Sequence, residues 1–355
     1  EHMISLSHRI NAFEKLGNDL LKVSDANSDT EFENKFMNSL NTEVSEAALN
    51  NGWFVEDNVR FMLKSIAQSL SKKNLTKWLE PYMENLASND GNKVIGVVMA
   101  GNIPMVGFHD LMCILISGNK LFAKLSSDDN KLIPSIANLL TDIEPGFSDY
   151  ITFTSGKLEK IDAIIATGSD NSSRYFEYYF GKYPNIIRKN RNGIAVLDGN
   201  ETNNQMTGLK DDIFMYYGLG CRNISHLFVP LNYDFTPLLD LISQDKSIAE
   251  HHKYFNNYEY NKAIYLVNGN QHLDSGNLML VENTNFSNPV SVLSYEYYTD
   301  VDEVNKNLKN NKDKVQCIVA GNDMVDNSIP FGTSQSPQLW DYADGVDTME
   351  FLSGI

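Results

Sequence analysis

The chain has few cysteines, and their arrangement excludes two kinds of site. Cys113, Cys221 and Cys317 are widely spaced among 355 residues. An odd number of cysteines without a CxxC pair does not form a disulfide framework, and it indicates a reducing compartment. The adjacent histidines His251 and His252 would not share one face of a helix. We therefore predict neither a disulfide scaffold nor a metal site.

Long apolar segments and a secretory signal are also missing. The most apolar region, 94–118, is interrupted by a proline and by polar side chains. It therefore lacks the roughly 20 consecutive apolar residues of a membrane helix. The opening stretch EHMISLSHRINAFEKLG has no apolar centre of signal-peptide length. We expect a soluble, cytoplasmic protein without a membrane span.

Basic side chains are outnumbered by acidic ones. There are 29 Lys and Arg against 46 Asp and Glu, which gives a formal net charge of −17. Such a chain repels nucleic acid and anionic membrane surfaces, although a local basic pocket could still hold an anionic ligand. Hydrophobic residues make up 42% of the chain, enough for a sizeable core, and the length predicts two domains or one large domain with an insertion.

The first half of the chain changes from helices to an alternating pattern. Residues 3 to about 90 have helical spacing of apolar residues, with a break expected at Pro81. Short apolar strands at 93–101, 119–126 and 162–169 then alternate with helical stretches. This β-α-β-α-β order predicts a parallel sheet, in which ligands bind beyond the carboxyl ends of the strands.

The second half of the chain predicts another α/β region. Two strands are expected in NIIRKNRNGIAVLDGNE, and a helix in LKDDIFMYYGLG that ends in glycine before Cys221. Further strands are predicted for HLFVP, KAIYLVNG, LMLVEN, PVSVLSYEYY and VQCIVAG, with a helix in DVDEVNKNLKNN. We predict a helical segment with a Rossmann-like nucleotide-binding domain (3–195), a catalytic α/β domain carrying Cys221 (196–330), and a C-terminal return segment (331–355).

No text motif identifies a cofactor. The phosphate-loop pattern GxxxxGK[ST] does not occur, and Gly218-Leu-Gly220 lacks the third glycine of GxGxxG. Cys221 follows these glycines and precedes a strand, so it is either a small apolar filler or a nucleophile that a ligand approaches closely. His226 is either structural or a partner of that thiol. Cys113 and Cys317 lie in apolar runs, where packing is expected.

Two further residues lie at predicted strand ends. Asn102, in AGNIP, is either an ordinary turn residue or a side-chain amide directed at a reacting oxygen. Lys124 is either a solvated lysine or an anchor for a nucleotide ribose or phosphate. The aromatic-rich stretches RYFEYYFGKY and YFNNYEY fit core packing, with an acyl tunnel as the alternative.

Several stretches in this order resemble the aldehyde dehydrogenase superfamily and, more narrowly, the fatty acyl-CoA reductase family that includes the reductase of bacterial bioluminescence. They are AGNIP, SGNKLFAKLS, ATGSDNSSRYF, GLGCRNISHLFVP, NPVSVLSYEYYTDVDEV and IPFG, within a match from about 51 to 352. The resemblance implies an α/β fold of two domains with mostly parallel sheets. It also implies reduction of a fatty acyl-CoA to an aldehyde.

The same resemblance implies roles for individual residues. Cys221 is the nucleophile, and Asn102 forms the oxyanion hole with the backbone N–H of Cys221. Lys124 contacts the adenosine ribose or its phosphate. Gly168 and Ser169 begin a helix whose N-terminus is expected to face the cofactor pyrophosphate.

Departures from the superfamily pattern refine these expectations. Ile187 stands where hydrolytic members carry the glutamate that activates water, and a thioester-exchanging enzyme does not need that base. Asn285 is nearest to the place of the ribose-binding glutamate. Ser127 replaces an acidic residue common in NAD users, which favours NADPH, although Asp128 is adjacent and NADH is possible.

Some alternatives stay open on the sequence. A non-catalytic shell that binds a nucleotide or a partner protein fits the lost glutamates, but it has no need for both Cys221 and Asn102. Another acyl donor, such as an acyl phosphate or an acyl-carrier thioester, is a nearer rival. An acyl-donating protein is a possible partner, and a homo-oligomer is a possible assembly.

Overall fold

The computed structural model describes residues 4–88, 93–321 and 324–355. These residues form two compact units. One comprises Glu1–Lys189 with Pro337–Ile355, and the other comprises Asn190–Ser336. The predicted boundary after residue 195 lies inside a strand, Asn192–Val196, so the division comes a few residues earlier. The return segment joins the first unit from residue 337.

Helices form most of the N-terminal region and recur between the strands. In chain order they are α1 (Leu6–Ser24), α2 (Lys35–Ser45), α3 (Ala47–Asn50), α4 (Glu56–Ser69), α5 (Lys72–Leu79), α6 (Met83–Ser88), α7 (Phe108–Ile116), α8 (Leu132–Ile143), α9 (Asp170–Phe180), α10 (Asn203–Phe214), α11 (Thr236–Ser243), α12 (Lys246–Glu250), α13 (His252–Val267), α14 (Val301–Asn310) and α15 (Thr348–Ser353). Pro81 lies in a 3-10 turn between α5 and α6, which confirms the predicted break.

The strands form one sheet in each unit. They are β1 (Val94–Val98), β2 (Lys120–Lys124), β3 (Ile151–Thr154), β4 (Ala163–Thr167), β5 (Asn185–Arg188), β6 (Asn192–Val196), β7 (Ile224–Pro230), β8 (Leu273–Asp274), β9 (Met279–Glu282), β10 (Val292–Tyr298) and β11 (Val315–Ala320). The first sheet has the order β3-β2-β1-β4-β5, and the second β11-β6-β7-β10-β9-β8. Neighbouring strands are parallel except for β8 and β9, which are antiparallel.

The core of the first unit is built on α1. Phe13, Leu16 and Leu20 are fully buried, as the spacing of one apolar helix face predicts. Phe13 also packs edge-on against Phe108 and Phe147, with ring centroids 6.4 and 6.1 Å away. This packing brings the N-terminal helices against α7 and the turn after α8, so they support the first sheet.

The return segment is held to the first unit by polar contacts. The indole N–H of Trp78 donates to the Tyr342 hydroxyl at 2.7 Å, and the Nε2 of His109 lies 2.9 Å from the Leu339 carbonyl oxygen. Burial lowers the pKa of His109, which suits a neutral ring between aromatic neighbours. Because His109 lies in α7, these contacts fix the helix that begins six residues after Asn102.

One strand prediction is wrong, and two short edge strands are not predicted. KAIYLVNG, predicted as a strand, is the C-terminal part of α13, where Tyr254, Tyr258 and Asn261 form the buried face. Its apolar residues Leu266 and Val267 are 61% and 86% exposed, so the local β-like composition does not reflect burial in a sheet. The edge strands β3 and β8 are the two that the apolar pattern does not predict. NIIR falls within the predicted first domain (3–195) and is β5 of the first sheet.

Candidate active site

The candidate nucleophile lies in the second unit, in an abrupt turn between α10 and β7. The predicted helix LKDDIFMYYGLG ends earlier than expected, at Phe214. Tyr216 and Tyr217 then adopt φ angles of 53° and 57°, and Gly218 has φ 76°. Left-handed tyrosines are unusual and persist only when surrounding contacts hold them. This segment (215–223, the Cys221 turn) carries Cys221, whose side chain is exposed.

Asn223 holds the Cys221 turn from within. Its side-chain oxygen accepts a hydrogen bond from the Gly220 N–H at 2.8 Å. Its amide nitrogen donates to the carbonyl oxygens of Met215 at 2.7 Å, Asp212 at 3.1 Å and Ile213 at 3.3 Å. Asn223 is 3% exposed, so these bonds are shielded from water. One buried amide therefore satisfies the end of α10 and fixes the residue before Cys221.

The residues after Cys221 are packed closely against β6. A Cβ at Gly193 would lie 2.7 Å from the Arg222 carbonyl oxygen and 2.6 Å from that of Asn223, so only glycine fits there. The Nε of Arg222 donates to the Ser334 carbonyl oxygen at 2.5 Å. The turn is thus held by the sheet on one side and by the segment around Ser334 on the other.

Asp212 connects α10 to the IPFG region. Its buried carboxylate accepts hydrogen bonds from the N–H groups of Gly332 at 2.6 Å and Ser334 at 3.0 Å. Burial raises the pKa of Asp212, while these donors partly offset the rise. The IPFG motif, read from the sequence only as a landmark, therefore belongs to the support of the Cys221 turn.

The other candidates in the second unit have structural surroundings. His226 is fully buried in β7, with Nδ1 2.7 Å from the Ser294 Oγ and Nε2 3.7 Å from the Glu296 Oε1. These contacts join β7 to β10 and support the structural alternative for His226. Cys317 is half-buried rather than packed in the core, with Sγ 3.6 Å from the Arg222 carbonyl oxygen.

In the first unit, a turn between β1 and α7 (residues 100–105, the Asn102 loop) carries Asn102, which is exposed. A Cβ at Gly101 would lie 2.5 Å from the Ser126 Oγ, so the loop packs tightly on the turn after β2. Met105 has a left-handed φ of 56°. Its N–H donates to the Asp129 Oδ2 at 2.7 Å. The sequence does not single out Asp129, because the polar stretch SSDDN has the composition of a solvent-exposed turn.

The proposed cofactor residues follow neighbouring strands of the first sheet. Lys124 ends β2, and both it and Ser127 are exposed. Gly168 follows β4, where a Cβ would lie 2.8 Å from side-chain atoms of Ser172 and Phe176. Ser169 is the N-cap of α9 and accepts a hydrogen bond from the Ser172 N–H at 3.3 Å. The sheet order places β1 between β2 and β4, so these residues and Asn102 share one sheet edge.

A buried ion pair adjoins Ile187 at the end of β5. Ile187 is half-buried in β5. The next residue, Arg188, makes a bidentate contact with Asp110 of α7, at 2.7 and 2.8 Å, and also donates to the Thr348 Oγ1 at 3.3 Å. Asp110 and the hydrogen bonds to it raise the pKa of Arg188 against the opposing effect of burial. This pair ties β5, α7 and the return segment together.

Within residues 4–88, 93–321 and 324–355, no group of three or more His, Cys, Asp or Glu side chains could hold a metal ion. In the same part of the chain, no helix combines the length and apolarity needed to cross a membrane.

Solved structures of aldehyde dehydrogenases share the fold. Aldehyde dehydrogenase 21 from Physcomitrella patens matches with a TM-score of 0.66 and 12% identity, over 99% of this chain and 84% of that one. Glyceraldehyde-3-phosphate dehydrogenase from Methanocaldococcus jannaschii, complexed with NADP, gives 0.59 and 12%, over 93% and 84%. An indole-3-acetaldehyde dehydrogenase complexed with NAD+ gives 0.58 and 13%, over 90% and 76%. No family model and no curated protein sequence matches the chain.

The comparison confirms the predicted fold class. The chain has the two-part α/β architecture of aldehyde dehydrogenases, with mostly parallel sheets and a helical N-terminal region. At this level of identity the likeness concerns the fold. Function has to be argued from the residues.

Proposed function

We propose that this protein is an NAD(P)H-dependent reductase that converts a fatty acyl-CoA to the aldehyde through an acyl-Cys221 intermediate. The observation that carries the proposal is the exposed thiol of Cys221 on a turn fixed by buried hydrogen bonds. A filler cysteine would be buried, as Cys113 is. A rigid, accessible thiol suits a nucleophile that must meet its substrate in one geometry.

In the proposed first step, the thiolate Sγ of Cys221 attacks the thioester carbonyl carbon. The carbonyl π electrons move to oxygen and then re-form the carbonyl as the C–S bond to CoA breaks. CoA leaves as a thiolate, which takes up from solvent the proton that the Cys221 thiol gave up on ionising. Asn102 is assigned the role of donating its side-chain amide to the oxyanion, together with the backbone N–H of Cys221. Removing one such donor typically lowers the rate by about 10²–10³.

The residues at the edge of the first sheet suit a dinucleotide. Gly168 leaves no side chain at the entry to α9, and this 11-residue helix directs the positive end of its dipole to that point. Exposed Lys124 and Ser127 would hold the adenosine end, and a neutral Ser127 favours the 2′-phosphate of NADPH over NADH. When bound, the cofactor supplies a hydride to the acyl carbon.

The chain's own residues then complete the reaction. Cys221 keeps the reduced carbon as a thiohemiacetal until its C–S bond breaks, which releases the aldehyde and regenerates the thiol. Ile187 in place of a carboxylate supports transfer rather than hydrolysis, because it cannot activate water against the acyl-enzyme. A fatty acyl-CoA is the substrate that the resemblance implies. An acyl phosphate or a carrier thioester would use the same steps.

The test is oxidation of NADPH and NADH with a panel of acyl-CoAs, followed by absorbance, with free CoA measured by a thiol reagent. We expect the wild-type protein to oxidise NADPH with equimolar CoA release, and Cys221→Ala to lose at least about 10³-fold in kcat. Cys317→Ala, which removes the half-buried thiol, is the matched control and should keep its activity. Turnover by Cys221→Ala would rule out the covalent route.

A further inference from the structure

Asp129 is a buried carboxylate in a turn that joins two candidate functional segments. It is 5% exposed, and its Oδ2 accepts the hydrogen bond from the Met105 N–H at 2.7 Å. Its own chain segment, 126–129, closes on itself through a bridge between Ser126 and Asp129. The carboxylate therefore connects the Asn102 loop to the turn that carries Ser127.

The residue that Asp129 holds has an unfavourable backbone conformation. Met105 has φ 56° and is 1% exposed. A left-handed, β-carbon-bearing residue costs free energy, and it persists only when its surroundings fix it. The hydrogen bond from its N–H to a carboxylate is of the strong, charge-assisted kind. This bond is three residues after Asn102, so it constrains where the Asn102 loop turns back towards α7.

The surroundings of Asp129 give its charge little compensation. Burial raises the pKa of Asp129 to about 6, and the backbone N–H groups of Met105 and Leu132 partly oppose that rise. Among the described residues, no donor meets hydrogen-bond geometry at its Oδ1, so the Leu132 N–H acts on the carboxylate from a longer distance. A carboxylate that serves only to stabilise the fold would be expected to have a cation or several donors beside it.

The segments beside Asp129 give its charge little support. The Asn102 loop and the first turn of α8 (132–135), both among the described residues, contain no titratable group. Nearby along the chain, Asp128 is exposed, and Lys131 is paired with Glu43 at 3.7 Å. The Met105 N–H lowers the pKa of Asp129 against the larger effect of burial, so this hydrogen bond favours the ionised carboxylate. Protonation therefore weakens the bond while the side chain stays buried.

We propose that Asp129 is a positioning residue whose carboxylate holds the Asn102 loop in its left-handed turn through the Met105 N–H, and that protonation of this carboxylate loosens the loop. The clamp itself stands on geometry alone. Its consequence for catalysis rests on the proposed function, through the role given to Asn102.

The first test measures the loop without any substrate. Amide hydrogen exchange of the peptide spanning 101–107 is followed at pH 5.0 and 7.5 (roughly one unit or more on each side of the transition) and corrected for intrinsic exchange. In the wild-type protein, protection at Met105 should be about tenfold lower at the acidic pH. Equal protection at both pH values would overturn the proposal, even if no acyl-CoA is turned over.

Variants separate positioning from a merely structural role. Asp129→Asn keeps the shape of the side chain and removes the charge, so Met105 protection should be low and independent of pH. Asp149→Asn makes the same chemical change at an exposed position in the same unit and should behave as wild type. Thermal melts establish that each variant is folded. A pH-dependent Met105 in Asp129→Asn would contradict the assignment.

A second readout applies if the reductase activity is present. Asp129→Asn should lower kcat at least tenfold while KM for NADPH stays within twofold, because the loop rather than the cofactor residues is displaced. The acid limb of the wild-type pH profile, expected near 6, should disappear in the variant. An unchanged kcat and acid limb would remove Asp129 from catalysis. Absence of turnover by the wild type would count against the proposed function and leave the exchange result to decide the clamp.

Discussion

The Asn102 loop and the Cys221 turn both contain unfavourable backbone conformations, but different groups hold them in place. Each contains left-handed residues other than glycine, Met105 in one and Tyr216 and Tyr217 in the other. The loop in the first unit is held by a buried carboxylate, whereas the turn in the second unit is held by the neutral amide of Asn223. The Asn223 amide does not titrate, so we expect its contacts in the Cys221 turn to be independent of pH, whereas the contact that Asp129 makes with the Asn102 loop should respond to pH.

The largest effect is expected from breaking the buried ion pair that supports α7 behind the Asn102 loop. Asp110→Asn leaves Arg188 charged and buried, and it should lower the free energy of unfolding by about 3–5 kcal/mol. Lys189→Ala is the matched control, because its ion pair with Glu177 is exposed and should contribute under about 1 kcal/mol. Chemical denaturation at pH 7.5 would compare them. Similar losses for both variants would show that burial does not increase the contribution of the ion pair to the free energy of unfolding.

A somewhat smaller loss of stability is expected from removing the neutral amide of Asn223, which holds the Cys221 turn. Asn223→Ala removes the acceptor of the Gly220 N–H and the donor to the end of α10, and should cost about 2–4 kcal/mol. The cost should be the same at pH 5 and pH 7.5. Asn185→Ala, which removes one exposed bond to the Tyr183 carbonyl oxygen, should change stability by under about 1 kcal/mol. A strongly pH-dependent cost for Asn223→Ala would break the proposed distinction between the two segments.

The smallest of the three effects is the contribution of the Asp129 side chain to the free energy of unfolding. Its pKa is raised in the fold from an ordinary value near 3.8 to about 6. The folded state therefore binds the proton more tightly, so the contribution of Asp129 to stability is fully present below about pH 4 and is lost as pH rises to about 6. Above that pH the ionised carboxylate costs up to about 3 kcal/mol relative to the protonated form.

The measurement is the free energy of unfolding of wild type minus that of Asp129→Asn across this range. The difference should fall as pH rises from about 4 to 6 and then remain constant. Subtracting the variant removes the contribution of the other carboxylates, which titrate in both proteins. A difference that rises with pH would mean that the carboxylate is stabilised, rather than strained, by its site.

Local sequence patterns predict much of the fold and the candidate residues at the strand ends. The alternation of short apolar runs with helical stretches predicted β1, β2 and β4 and the helices between them, because each element follows its own period. The same reasoning failed at α13, where the apolar residues from Ile264 to Val267 look like a strand but continue a helix with an exposed end. The β-like composition of this segment conflicts with its packing, and the packing determines that it is helical.

The supports of the candidate site could not be predicted from the sequence. Asp110 and Arg188 are separated by 78 residues, and nothing in either stretch indicates the other. Asp129 lies in a polar turn whose burial depends on the Asn102 loop. The left-handed Tyr216 and Tyr217 are residues that ordinarily avoid this conformation, so the sequence predicts a helix through them. Only the three-dimensional contacts identify what holds Cys221 and Asn102.

Covalent catalysis by Cys221 is tested most directly by detecting the acyl-enzyme. The protein is mixed with a long-chain acyl-CoA in the absence of NADPH and analysed by peptide mass spectrometry, with free CoA measured in parallel. We predict one acyl group on Cys221, one equivalent of CoA released, and slow loss of the adduct because Ile187 replaces a base that would activate water. Cys221→Ala should carry none. CoA release with no adduct on Cys221, or an adduct on Cys317 instead, would contradict the account.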